Sequence, residues 1–259
     1  MADQGLLSGD KAIKYLSFKD RFYLHNLISD KRKWIFVARA VCIAISLAIA
    51  ISFAVTAVGL PRNNIECIED KLFEASAAIN SYFSENASMR HLLLIFSSSL
   101  IDFQFVYFCV NYLLWGNTAR PIVFLITFYL FRAFIQSIFF MRYPAGMAWE
   151  YPGIPSLTVS YEATSDFFFS GHVGIMVFVS LENYKHKNYQ MMALGIFSVS
   201  AEFFVMLVLR GHYSIDLISG IIFGHYFWLL SGKLTKKIEN LIKKKELLYE
   251  KDRQVDSFS

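Results

Sequence analysis

The chain has 259 residues, 55% of them apolar and 17% aromatic, with a formal charge of only +4. A soluble domain of this length rarely carries so much apolar surface, because its exterior must face water. The apolar runs are continuous rather than alternating, which argues against a β-barrel, and the bases gather near the ends, which points to membrane orientation rather than nucleic-acid binding.

Residues 1–34 are polar and read as a cytosolic N-terminal tail. Within it, residues 12–28 mix aromatics with charges and read either as an interfacial helix or as a basic tail. A polar stretch this long before the first apolar run does not fit a cleaved signal peptide, so the first span is expected to stay as an anchor. Crossing a bilayer core takes about 20 apolar residues in a helix. Runs that approach or exceed this lie at 35–59, 91–115, 121–141, 166–182, 190–209 and 212–231. They predict an all-α polytopic membrane protein, a six-transmembrane-helix bundle over residues 35–231, followed by a basic cytosolic tail at 232–259. Cys42 and Cys109 lie inside apolar runs and Cys67 is alone in a loop, which is neither a disulfide framework nor a zinc pattern.

Lysine and arginine in the short loops set the orientation. The N-tail "DKRKW", Arg120, the loop "NYKHKNY" and the tail "KLTKKIENLIKKK" all fall on one side of a six-span chain, which makes both termini cytosolic. The loops at 60–90 and 142–165 and the turn at 210–212 then face the lumen or exterior, and Asn86-Ala87-Ser88 is a glycosylation sequon on that side.

Two short stretches carry the chemistry. "FFFSGHVG", residues 167–174, places His172 at the luminal end of the fourth span, and "RGHYSIDL", residues 210–217, places His212 at the luminal end of the sixth. His212 and Asp216 are four residues apart, so a helix puts them on one face. A carboxylate on one imidazole nitrogen fixes the tautomer and presents the other nitrogen as a nucleophile or base. His172 supplies a second proton-transfer group, and Gly171 beside it lets backbone approach a bulky substrate. Ser170 and Gly171, with Arg210 and Arg132, are the candidate phosphate-binding residues. This set suits phosphoryl transfer, with one histidine attacking phosphorus, arginines holding the equatorial oxygens and the other histidine protonating the leaving oxygen. Asp102, Arg132 and Glu202 sit at similar depth, roughly 10–17 Å from the luminal ends at about 1.5 Å per residue. They form a supporting polar layer in which Arg132 either pairs with Asp102 or Glu202 or contacts substrate. No metal or other cofactor is expected, since the sequence has no carboxylate cluster for magnesium and no Cys/His set for zinc. Trp149 and the luminal tyrosines offer aromatic faces to a quaternary ammonium, or simply anchor the interface.

"SGH" followed by "RGHYSID" resembles the lipid phosphatase and phosphotransferase superfamily, which includes type 2 phosphatidic acid phosphatases and sphingomyelin synthases. Within it the chain is similar to the plant phosphatidylcholine:diacylglycerol cholinephosphotransferases, and "FYLFRAF", residues 128–134, looks like the arginine-bearing helix of the sphingomyelin synthases. The likeness covers about residues 121–232. It implies that His212 is the nucleophile, that Asp216 orients it, and that His172 protonates the leaving diacylglycerol and then deprotonates the acceptor. The phosphatase pattern is broken at Phe169, Met206 and Leu113, where it has proline, arginine and lysine, and this favours the transferase branch. The expected enzyme moves a phosphocholine-type headgroup from a phospholipid to diacylglycerol or ceramide in an endomembrane or the plasma membrane. The alternatives are a lipid phosphate phosphatase that uses water and a non-catalytic lipid-binding or scrambling protein.

Overall fold

A computed structural model describes residues 34–46, 48, 68–139, 141–161 and 167–256, and every regular element among them is a helix. In chain order these are α1 (Trp34–Ser46), α2 (Lys71–Ala75), α3 (Ala77–Glu85), α4 (Ala87–Trp115), α5 (Arg120–Ile138), α6 (Gly171–Lys185), α7 (Tyr189–Val208) and α8 (Ser214–Asp256). The interfacial reading of residues 12–28 and most of the first expected span lie outside the described residues.

Local chemistry sets several of the boundaries. Asp70, Ser170 and Asn188 cap α2, α6 and α7 by accepting the N–H groups of Leu72, Val173 and Met191. Pro121 sits in the first turn of α5, where its missing N–H is harmless. Helix α7 ends where Arg210 turns left-handed at φ 54°, and Gly211 N–H closes the turn on the Met206 carbonyl at 2.9 Å.

Four of these helices are long and apolar enough to cross a membrane: Ala87–Trp115, Arg120–Ile138, Tyr189–Val208 and Ser214–Ile242. The expected fourth span begins later than its hydropathy indicates. Residues 167–170 form a turn, and α6 proper has 15 residues. Helix α8 starts at Ser214, so His212 stands in the loop before it, and the helix runs on past residue 231 to Asp256. The expected luminal loop at 60–90 contains α2 and α3.

The bundle is apolar outside and carries a set of polar groups within its apolar core. Phe103, Phe134, Phe197 and Ile222 are exposed on α4, α5, α7 and α8, an arrangement suited to lipid. Ser97, Gln104, Gln136, Glu182, Ser198 and Glu202 are buried. Helix α6 packs most extensively against α7 and α8 and forms the centre. A stack of Phe124, Phe128, Phe169, Phe178 and Phe227 fills the space around it. Small residues permit the crossing. A Cβ on Gly224 would stand 2.7 Å from the Gly174 carbonyl oxygen, and one on Gly174 would strike Phe128.

The end away from His172 and His212 is clamped by charge. Arg120 pairs with Glu182 at 3.0 Å, donates to the Trp228 carbonyl at 2.8 Å and lies over the Trp228 ring. Trp228 Nε1 also donates to Glu182. Isolated charges would be costly at such depth, and here each has partners on neighbouring helices.

Backbone cannot yield to an added side chain as a flexible side chain can. Gly224→Val is therefore expected to destabilise the bundle by about 1–3 kcal/mol. The readout is a lower thermal unfolding temperature in detergent; an unchanged temperature would contradict the close α6–α8 crossing.

Candidate active site

Both histidine motifs converge on Asp216. Its side chain is 0% exposed, and His212 is 3% exposed. Asp216 Oδ2 lies 3.2 Å from His212 Nδ1 and accepts Tyr213 N–H at 3.0 Å. Oδ1 accepts Phe168 N–H at 2.9 Å, and the Asp216 carbonyl accepts Ser170 N–H at 2.9 Å. The His212–Asp216 pair was expected from helical spacing. It arises instead from a cap: Asp216, in the first turn of α8, reaches back to the N–H just ahead of the helix and catches the histidine with the same oxygen. A carboxylate only accepts, so Nδ1 carries the hydrogen and a neutral ring has its lone pair on Nε2.

The turn before α6 is welded to α8. Phe168 has φ 103°, a conformation that costs about 1–3 kcal/mol for a residue with a side chain. It is held by Asp216 on its N–H and by the Ser219 hydroxyl, 2.6 Å from its carbonyl oxygen. A Cβ on Gly220 would lie 2.9 Å from the Ser170 carbonyl oxygen, so only glycine lets the turn sit this close.

Arg132 reaches this turn from α5. Its Nε donates to the Phe169 carbonyl at 3.3 Å, and a Cβ on Gly171 would meet the guanidinium at 3.3–3.4 Å. Gly171 thus makes room for Arg132 at the amino end of α6, where helix dipole and guanidinium both favour an anion. Ser170 caps this helix, its Oγ accepting Val173 N–H.

His172 Nε2 lies 3.0 Å from the Thr158 carbonyl oxygen. Asp102 fixes that loop, accepting from Ser156 Oγ, Leu157 N, Thr158 N and Thr158 Oγ1 at 2.6–3.0 Å. Glu202 takes a hydrogen bond from Ser97, and its Oε1 faces His172 Nδ1 at 3.9 Å. The two acids of the expected polar layer thus have partners other than Arg132. Arg210 is bound into the neighbouring loops. Its guanidinium donates to the carbonyls of Ala145 and Phe73 and lies over the Phe73 ring at 5.3 Å.

These contacts belong to a roof that the sequence reading missed. Asp70 accepts Ser214 N–H at 2.7 Å, and Asn80 donates to the Val208 carbonyl at 2.8 Å. Phe73 stacks on Tyr213. Arg90 donates to Glu150 at 2.8 Å and tethers the 141–161 segment, and that hydrogen bond, helped by His91, holds the Glu150 carboxyl below its ordinary range. Trp149 packs on Tyr161, whose other neighbour is Tyr151. Burial pushes the Tyr161 phenol up, and Asp102 and Glu202 nearby push it further. Among the described residues no three metal-ligating side chains are grouped to hold an ion.

Arg210→Ala is expected to lower the unfolding temperature by a few degrees while leaving KM for the lipid nearly unchanged, because its hydrogen bonds, about 1 kcal/mol each, hold the roof. A large rise in KM with unchanged unfolding would return Arg210 to the phosphate.

No curated protein and no solved structure matches the chain. The family model described as AtPDCT1/2 matches residues 69–233, from the acid-rich start of the roof, through both histidine motifs, into α8. The chain therefore belongs to the AtPDCT1/2 family, that of the phosphatidylcholine:diacylglycerol cholinephosphotransferases.

Proposed function

We propose that the chain transfers phosphocholine from phosphatidylcholine to diacylglycerol through a covalent phosphohistidine on His212. The observation that supports this reading is the Asp216 junction, in which the carboxylate takes His212 Nδ1 as a donor, so that Nε2 is the ring nitrogen assigned to phosphorus. In the first step Nε2 bonds to phosphorus, the P–O bond to diacylglycerol breaks, and His172 gives that oxygen a proton. Asp216 stabilises the positive charge that the His212 ring acquires. Arg132 and the amino end of α6 bind the phosphate oxygens. In the second step a diacylglycerol hydroxyl passes its proton to His172 as its oxygen displaces His212. Trp149 lies against Gly211, next to His212, so the aromatic cluster with Tyr161 and Tyr151 gives choline a surface of π-faces.

The topology of this reading has six spans, with α1 and α6 completing the four long helices. The site is luminal, both termini are cytosolic, and the membrane is an endomembrane or the plasma membrane. The charge pattern of the loops supports it.

The test supplies headgroup-labelled phosphatidylcholine with diacylglycerol, ceramide or neither, and phosphatidylethanolamine beside it. Label in new phosphatidylcholine is expected. Label in sphingomyelin would move the acceptor to ceramide, and label only in water-soluble phosphocholine or phosphate would make the chain a phosphatase. His212→Ala should lose both half-reactions. His172→Ala should fall at least about 100-fold with the lipid donor yet keep much of its cleavage of p-nitrophenyl phosphocholine, whose leaving group needs little protonation. Rescue of His212→Ala instead would reverse the two roles, and full activity in both variants would end the enzymatic reading.

A further inference from the structure

His172 must carry a proton that it can hand over, and its surroundings decide whether it does. Its Nε2 lies 3.0 Å from the Thr158 carbonyl oxygen, which only accepts, so Nε2 bears hydrogen. On the far side of the ring Nδ1 faces Glu202 Oε1 at 3.9 Å, and neither atom has a hydrogen-bond partner. Glu202 is 1% exposed, and its other oxygen is held by Ser97. In a neutral ring with hydrogen on Nε2, Nδ1 would turn a lone pair towards this buried carboxylate. Two acceptors facing each other in a dry interior repel. A proton on Nδ1 converts the repulsion into a charge-assisted contact at ion-pair distance. Asp102 is committed to the 156–158 loop and Arg132 Nε to the Phe169 carbonyl, so among the described residues the acid facing His172 is Glu202.

We infer that Glu202 is the positioning carboxylate of His172, holding its ring as an imidazolium whose Nε2–H is the acid of the reaction. The inference rests on the phosphocholine-transfer reading above. Both histidines then follow one plan, with Nδ1 towards a carboxylate and Nε2 towards the chemistry. As His212 Nε2 bonds to phosphorus and the P–O bond to diacylglycerol breaks, His172 Nε2–H leaves the Thr158 carbonyl and gives its proton to that oxygen. The neutral ring takes a proton from the acceptor hydroxyl as the acceptor oxygen attacks and the P–N bond breaks. Glu202 stays charged throughout and touches no lipid.

Glu202→Gln separates this role from a purely structural one, because an amide can donate to Nδ1 and so favours the neutral ring. Headgroup transfer from phosphatidylcholine is expected to fall at least about 100-fold, the scale of a lost general acid. The burst of nitrophenolate from p-nitrophenyl phosphocholine should fall no more than about threefold, since that leaving group needs little protonation. Equal losses on both donors, or no loss on either, would overturn the assignment while transfer by the unmodified chain keeps the wider reading intact. If the unmodified chain transfers no phosphocholine, both fall together. Ser97→Ala is the companion variant, because it keeps the carboxylate and removes its outer hydrogen bond. It should lose about fivefold to tenfold on the lipid donor, a hydrogen bond's worth, and leave the burst unchanged; equal losses on both donors would again count against Glu202.

Discussion

One fully buried carboxylate organises this end of the protein. Asp216 accepts from His212, from the N–H that precedes α8 and from the strained Phe168, while its own carbonyl accepts from Ser170. A bare carboxylate in a lipid-surrounded bundle would be prohibitively expensive, and these donors make its charge tolerable. The same donors fix the start of α8, the sharp turn into α6 and the His212 tautomer. Structural and chemical demands on the residue therefore coincide. Losing the carboxylate would strand two backbone N–H groups, at about 1–3 kcal/mol each, as well as the imidazole.

Around this junction the roof works as a fastening. Asp70 and Asn80 bind the 208–214 segment, Arg210 within it reaches out to the Phe73 and Ala145 carbonyls, Arg90 holds Glu150, and Asp102 holds the loop whose carbonyl meets His172. Most of these bonds run between a side chain and distant backbone, so they position loops that have no regular structure of their own. The family match starts at residue 69, beside Asp70, so the roof lies within the shared unit and is no appendage to it.

The parts of this arrangement that were legible in the sequence are those encoded locally. Long apolar runs specify helices that can cross a membrane, and the nearness of His212 and Asp216 in the chain announces a pair, although a cap rather than helical spacing makes it. Length and hydropathy misplaced the start of α6, because apolar Phe167, Phe168 and Phe169 read as helix while their backbone is bound to α8. Helices α2 and α3 are too short to cross a membrane, and they acquire meaning only from what they touch. The same is true of three charged residues. Arg210 is expected at the phosphate from its nearness to His212 in the chain, whereas its bonds to the Ala145 and Phe73 carbonyls are visible only in the fold. Glu202 and Asp102 looked like partners for Arg132 by depth alone, and depth does not say which way a helix face is turned.

The central claim is that one histidine carries the headgroup between two lipids. Each in-line displacement inverts the configuration at phosphorus, so a covalent intermediate leaves it unchanged overall. The direct measurement uses a phosphorothioate phosphatidylcholine of known configuration as donor and diacylglycerol with distinguishable acyl chains as acceptor, and reads the configuration of the product. Retention is the predicted result. Inversion would mean that acceptor attacks donor in a single step, and would contradict the account.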